Sequence, residues 1–287
     1  MVGKFKRNMR TWGVDIAAFV VIFIIVQLVA TLILICGVDG LFDSEWSITD
    51  YGFMMTYACA MLPILMLTTR YESWRYRYSM PIKASAQGID PVFILWGVML
   101  LFATNIAITP LTDLLPPANQ DMPIGGYTLF TVCVLAPVLE EYIFRGRLFS
   151  LFYHSTSALT SATLSAMLFG VIHVSPQVII GGFIAGLIFS YAYMIKGSII
   201  APIILHMCNN GVAYAMIVLS YQDKSIPELL GENVNWPIVY TISLIIFLLG
   251  MAHVIRTIRR KGRVGERVEC AVESSDAVAE TAPDTTK

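Results

Sequence analysis

About eight stretches of this chain each run for close to the width of a membrane with almost no charge, and that pattern constrains the fold more than any other feature. The stretches are Ile16 to Val38, Tyr51 to Thr69, Val92 to Ile108, Tyr127 past Glu140 to Phe152, Ala158 to Val174, Val178 to Ile195, Ser198 to Leu219, and Pro237 to Ile255. A hydrocarbon core about 30 Å thick is crossed by roughly 20 residues of helix. The prediction is therefore all-α: a polytopic membrane helix bundle with about eight transmembrane helices. Composition agrees, since 56% of residues are hydrophobic and 14% charged, and a mean hydropathy of +0.70 lies outside the range of soluble domains. The lipid bilayer is the implied surrounding. A net charge of -1 implies no nucleic-acid partner.

Loop charge predicts the orientation. Lys4, Lys6, Arg7 and Arg10 precede the first run, which is too long for a signal-peptide core and reads as a retained span. Basic residues recur after alternate spans: Arg70, Arg75, Arg77 and Lys83, then Arg145 and Arg147, then Lys196, then Arg256, Arg259, Arg260, Lys261 and Arg263. The other loops carry Asp39, Asp43, Glu45 and Asp50, then Asp113 and Asp121, then Asp223, Glu228 and Glu232. Because Lys and Arg stay on the cytoplasmic side, both termini are expected in the cytoplasm of an integral protein of a bacterial cell membrane. These loop charges are read as topology signals alone. The five cysteines, Cys36, Cys59, Cys133, Cys208 and Cys270, contain no CxxC pair and read as small packing residues.

The chain divides into N-terminal transmembrane helices over 1–125, a polar-bearing core over 126–215, the last span with its preceding loop over 216–260, and a tail over 261–287. The tail's Ala, Val, Glu, Ser and Thr composition predicts disorder. Gly182 and Gly186 form a GxxxG that reads as internal helix packing.

Ionisable groups inside a span are costly and by default mark a functional site. Here they cluster in the core. Glu140, Glu141 and Arg145 lie on the fourth span, Phe169 and His173 on the fifth, and His206 and Asn210 on the seventh. On an α-helix Glu141 and Arg145 share a face and can pair, which leaves Glu140 turned about 100° away and free to act as a base. His206 and Asn210 also share a face, so an imidazole and a carboxamide can address one substrate oxygen, and Phe169 walls the site. His154 and His253 read as structural, each hydrogen-bonded to a neighbouring helix.

These segments resemble the three motifs of the type II CAAX prenyl protease family, also called Abi or CPBP intramembrane peptidases. EExxxR corresponds to Glu140, Glu141 and Arg145, FxxxH to Phe169 and His173, and HxxxN to His206 and Asn210, in order across about Tyr127 to Ala215. The resemblance implies an intramembrane endopeptidase acting on a peptide or protein substrate that enters from the membrane or the cytosol. In it Glu140 and His173 activate a water, His206 and Asn210 stabilise the oxyanion, and Arg145 holds Glu141. No cofactor is the favoured expectation. Zinc stays open, with Glu140, His173 and His206 as its ligands, although no HExxH is present.

Two other classes compete with the peptidase. A non-catalytic scaffold or bacteriocin immunity protein on the same fold should show degraded motifs, and none is degraded. A small-solute transporter should distribute its polar residues over both halves of the chain, whereas here they occupy one.

Overall fold

A computed structural model describes residues 12–37, 41–42, 47–77, 79–86, 89–116, 122–219, 228, 231 and 234–281. The apolar runs become helices α1 (Trp12–Gly37), α2 (Asp50–Tyr76), α3 (Pro91–Thr112), α4 (Gly126–Tyr153), α5 (Ala158–Val171), α6 (Pro176–Lys196), α7 (Ile200–Val218) and α8 (Trp236–Thr281). The chain is an all-α, polytopic membrane helix bundle, and no strand occurs among the described residues. Among the described residues seven helices are long and apolar enough to cross a membrane, and α5 is a shorter apolar one of 14 residues. The fifth run, expected to continue to Val174, breaks early because the chain turns at Ile172 and His173. Val174 then takes a left-handed φ of 62°, which a β-branched residue adopts at a cost of about 1–2 kcal/mol. The segment 261–287, expected as a disordered tail, has a helical backbone as far as Thr281, continuing α8. Once a span has nucleated a helix, each further residue adds one backbone bond without a new nucleus.

Local chemistry places the helix starts. Thr49 Oγ1 accepts from the Gly52 amide at 2.9 Å to cap α2, and Ser157 Oγ accepts from Thr160 at 3.2 Å to cap α5. Asp90 caps α3 through the amides of Val92 and Phe93, both at 3.1 Å, ahead of Pro91. Lys196 Nζ also donates to Asp90 at 2.5 Å, and this cation holds the Asp90 carboxyl below the usual carboxylate range.

The core is centred on the second half of α4 and on α6, where Ile143, Phe144, Leu148, Phe152, Ile188 and Phe189 are fully buried. Large apolar side chains of α1 and α8 such as Leu28, Leu32, Leu248 and Leu249 face outward, as lipid requires. Between α5 and α6 the backbones approach closely at small residues. A Cβ on Gly170 would lie 2.6 Å from the Ile179 carbonyl oxygen, and one on Gly186 would lie 2.9 Å from the Ala166 Cβ. The GxxxG thus does pack within the bundle.

Two polar clusters stand outside the expected site. Fully buried Glu72 accepts from Ser150, from His154 Nε2 at 3.2 Å, from Ser79 at 2.7 Å and from Arg147 at 3.2 Å. Beside it Asp15 accepts from Tyr71 at 2.9 Å and Tyr76 at 2.5 Å, and the Tyr76 ring stacks on His154 at 4.3 Å. His253 pairs with the Tyr191 hydroxyl at 3.2 Å, so both of these histidines join helices together.

Asp50 is more than a topology signal. The first amides of α4 have no cap from their own segment, and Asp50 supplies one from α2, accepting from Tyr127 at 3.1 Å and Thr128 at 2.6 Å. Asp50→Ala is expected to cost about 1 kcal/mol, as loss of a cap does. Gly125→Ala should cost a similar amount, because its Cβ would sit 2.3 Å from the Asp50 carboxylate. Thermal unfolding in detergent micelles measures both, and an unchanged midpoint for Asp50→Ala removes the capping role.

Candidate active site

The site begins with an irregularity in α4. A short α-helical stretch, Ala136–Glu141, is flanked by π-helical turns at Thr131–Leu135 and Tyr142–Leu148. Pro137 has no amide hydrogen to give to the carbonyl four residues back, and its ring crowds that carbonyl. A wider turn relieves the conflict, and π turns are frequent where helices carry functional groups. Here the Ala136 amide reaches back to the Thr131 carbonyl.

This geometry turns both glutamates inward. Arg145 Nη1 donates to Glu141 Oε1 at 2.8 Å, so the expected pair forms, with both side chains fully buried. Arg145 Nη2 donates to the Gly186 carbonyl at 3.0 Å, and the guanidinium lies 4.5 Å from the Phe169 ring centroid and 5.2 Å from that of Phe189. Glu140, expected to be free, has a partner. The Tyr57 hydroxyl on α2 donates to its Oε1 at 2.6 Å.

His206 stands between the two carboxylates. Its Nδ1 lies 3.0 Å from Glu141 Oε1 and its Nε2 lies 3.6 Å from Glu140 Oε2. An ionised carboxylate only accepts, so Nδ1 carries the hydrogen toward Glu141. The ring stacks on Phe189 at 4.9 Å and meets Phe169 edge-on at 5.4 Å, which fixes its orientation. Glu140 Oε2 is buried and has no hydrogen-bond partner.

His173 sits in the turn after α5, just before the left-handed Val174. Its Nδ1 lies 2.8 Å from the Phe169 carbonyl, to which it must donate, so Nε2 keeps a free lone pair. Asn210 Nδ2 donates to the Val132 carbonyl in the first π turn at 3.1 Å and retains a second N–H. His173, His206, Asn210 and Phe169 line one cavity of about 460 Å³. Glu140 is not among its walls: it is 6% exposed and adjoins the cavity through His206. Among the described residues no group of three or more His, Cys, Asp or Glu side chains is placed to hold one metal ion.

Comparison with known proteins finds similarity over the same segment that carries EExxxR, FxxxH and HxxxN. Residues 125–212 match the Rce1-like type II CAAX prenyl endopeptidase family. The chain is 31% identical over 134 residues to the membrane-embedded CAAX protease MroQ of Staphylococcus aureus, covering 43% of this chain and 53% of that protein. It is 32% identical over 95 residues to an uncharacterized 24.3 kDa protein of Escherichia coli, covering 31% of this chain and 44% of that one. The chain thus spans about half the length of the curated relatives it matches. No solved structure matches it.

The matched segment runs from the start of α4 into α7 and holds all seven residues singled out in sequence. Tyr57 lies outside it, on α2, and sequence reasoning missed it because one tyrosine in an apolar run carries no pattern. Gly186 was read as packing alone, yet it also gives its carbonyl to Arg145, and any larger side chain there would meet the guanidinium at 3.0 Å.

Proposed function

We propose that this protein is an intramembrane endopeptidase that hydrolyses a peptide bond with a glutamate-activated water. The observation that carries the reading is the unpartnered, buried Oε2 of Glu140, 3.6 Å from His206 Nε2 at the edge of a polar cavity inside an apolar bundle. In this mechanism a water beside Glu140 Oε2 attacks the carbonyl carbon while its proton passes to that oxygen. Tyr57 holds the other carboxylate oxygen in place. His173 Nε2, with its free lone pair, orients the water from the α5 side. His206, carrying a hydrogen on Nε2 as well as on Nδ1 in this step, and the remaining N–H of Asn210 face the oxygen that becomes negative, a role that supplies several kcal/mol in enzymes of known mechanism. The proton on Glu140 then moves to the leaving nitrogen as the C–N bond breaks. Arg145 and Glu141 act indirectly, by fixing the His206 ring.

Among the described residues no three of these side chains are grouped to hold one zinc ion: Glu140 and His206 approach at 3.6 Å, while His173 is held by the Phe169 carbonyl in the turn after α5. No step is routed through a metal. The test is a cleavage assay in nanodiscs against a library of hydrophobic peptides, read by mass spectrometry, with and without a strong chelator. Unchanged cleavage is the expected result. Activity lost on chelation and regained with zinc would reassign Glu140, His173 and His206 as ligands.

A further inference from the structure

We infer that the active-site cavity opens at the extracytoplasmic end of the bundle and receives a peptide presented there with an apolar flank in the bilayer. This deepens the peptidase reading and rests on it for the word substrate. The structure gathers the basic loops into one layer. Arg147 Nη1 reaches the Met80 carbonyl at 3.0 Å, the Ile199 amide bonds the Lys83 carbonyl at 2.9 Å, Lys196 pairs with Asp90 at 2.5 Å, and Lys261 Nζ bonds the Met194 carbonyl at 3.1 Å. The loops after α2, α4 and α6 and the cytoplasmic flank of α8 therefore share one end, and a layer of Lys and Arg marks the cytoplasmic side.

The cavity runs the other way. From His206 its walls continue through Thr112 and Asp113 at the end of α3, Gln177 in the first turn of α6, and Tyr214 and Ile217 in the last turns of α7. That end is tied together by Gln177 donating to the Thr112 carbonyl at 3.1 Å and Tyr214 donating to the Gly125 carbonyl at 3.1 Å. Among the described residues its loops carry Asp50, Asp113 and Glu228 and no Lys or Arg. A water-filled mouth at this end exposes His206 and Asn210 to the outer half of the membrane, not to the cytosol.

The neighbouring groove gives the chemistry of the occupant. A space of about 520 Å³ lies between α3, α7 and the first turns of α8, walled by side chains such as Phe102, Ile106, Val212 and Val239. It shares Leu101, Asn105, Asn209 and Ala213 with the active-site cavity, so the two adjoin. Asn105 is exposed in the middle of a span, where a carboxamide is costly unless it meets a polar partner. An extended peptide crossing this junction would lay an apolar side chain in the groove and offer its backbone to Asn105 and Asn209.

The experiment uses the full chain with its five native cysteines replaced by alanine and a single cysteine at exposed Asp113 or, as reference, at exposed Lys83. A charged, membrane-impermeant maleimide is applied to intact spheroplasts and to inverted vesicles, and the mass shift is read. Asp113→Cys is expected to react in spheroplasts and Lys83→Cys in inverted vesicles only. Modification at Asp113→Cys should then lower cleavage at least about tenfold by blocking the mouth. Labelling of Asp113→Cys from the cytoplasmic face alone overturns the inference, and so does full cleavage after complete labelling from outside. Because the mass shift needs no turnover, a protein that cleaves nothing before labelling counts against the peptidase reading, while the labelling pattern still decides the side on which the cavity opens.

Discussion

Glu140→Gln should leave the bundle folded and lower turnover roughly 100- to 10,000-fold, the range lost when a general base is removed. The amide keeps the shape and can still accept from the Tyr57 hydroxyl, which lies 2.6 Å from Oε1 in the native protein. What it loses is the capacity of the second oxygen, now without a hydrogen-bond partner, to take a proton from water. Unfolding temperature and peptide binding should both stay near the native values, since the carboxamide is close in shape and volume to the carboxylate it replaces. A purified Glu140→Gln protein that cleaves at the native rate would remove the carboxylate from the mechanism.

The largest effect on stability is expected at Arg145. Its side chain is fully buried, bridges Glu141 and the Gly186 carbonyl, and sits between the rings of Phe169 and Phe189. Arg145→Met keeps much of the volume but strands a buried carboxylate, and removing one partner of such a pair costs about 3–5 kcal/mol. Arg145→Lys should fall between the two, because an ammonium cannot reach both oxygens in the planar geometry the guanidinium offers. Thermal unfolding in micelles orders the three proteins. A Met variant as stable as the native chain would mean that Glu141 is satisfied by His206 alone, at 3.0 Å.

Hydropathy made the helices legible, because a bilayer imposes one length on every span and tolerates charge in few places. The site residues were legible for the same reason: Glu140, Glu141, Arg145, His173 and His206 are conspicuous inside apolar runs. Their mutual geometry was not. An ideal 3.6-residue helix put Glu140 on a different face from Glu141, and what the sequence did not show is that the His206 ring lies between them, Nδ1 toward Glu141 and Nε2 toward Glu140. The early end of α5 was hidden because Val174 is a residue that sequence rules place in strands and helices, not in a left-handed turn. Asp15 and Glu72 escaped attention because they lie near span ends, where a carboxylate reads as solvated. In the structure both are fully buried and partnered by tyrosine, serine, histidine and arginine from other parts of the fold.

The π turns also make α4 sensitive to length in a way that no substitution would reveal. A π turn holds one residue more than an α turn of similar rise. Deleting a single residue from Thr131–Leu135 removes no charged group and leaves EExxxR intact in the letters of the sequence. It would nevertheless let the turn close to α geometry and swing everything after it about 100° around the helix axis. Glu140 and Glu141 would leave His206, and Asn210 would lose the Val132 carbonyl it now holds at 3.1 Å. A relative with every motif letter in place and a one-residue gap just upstream of them would therefore keep the signature and lose the catalyst.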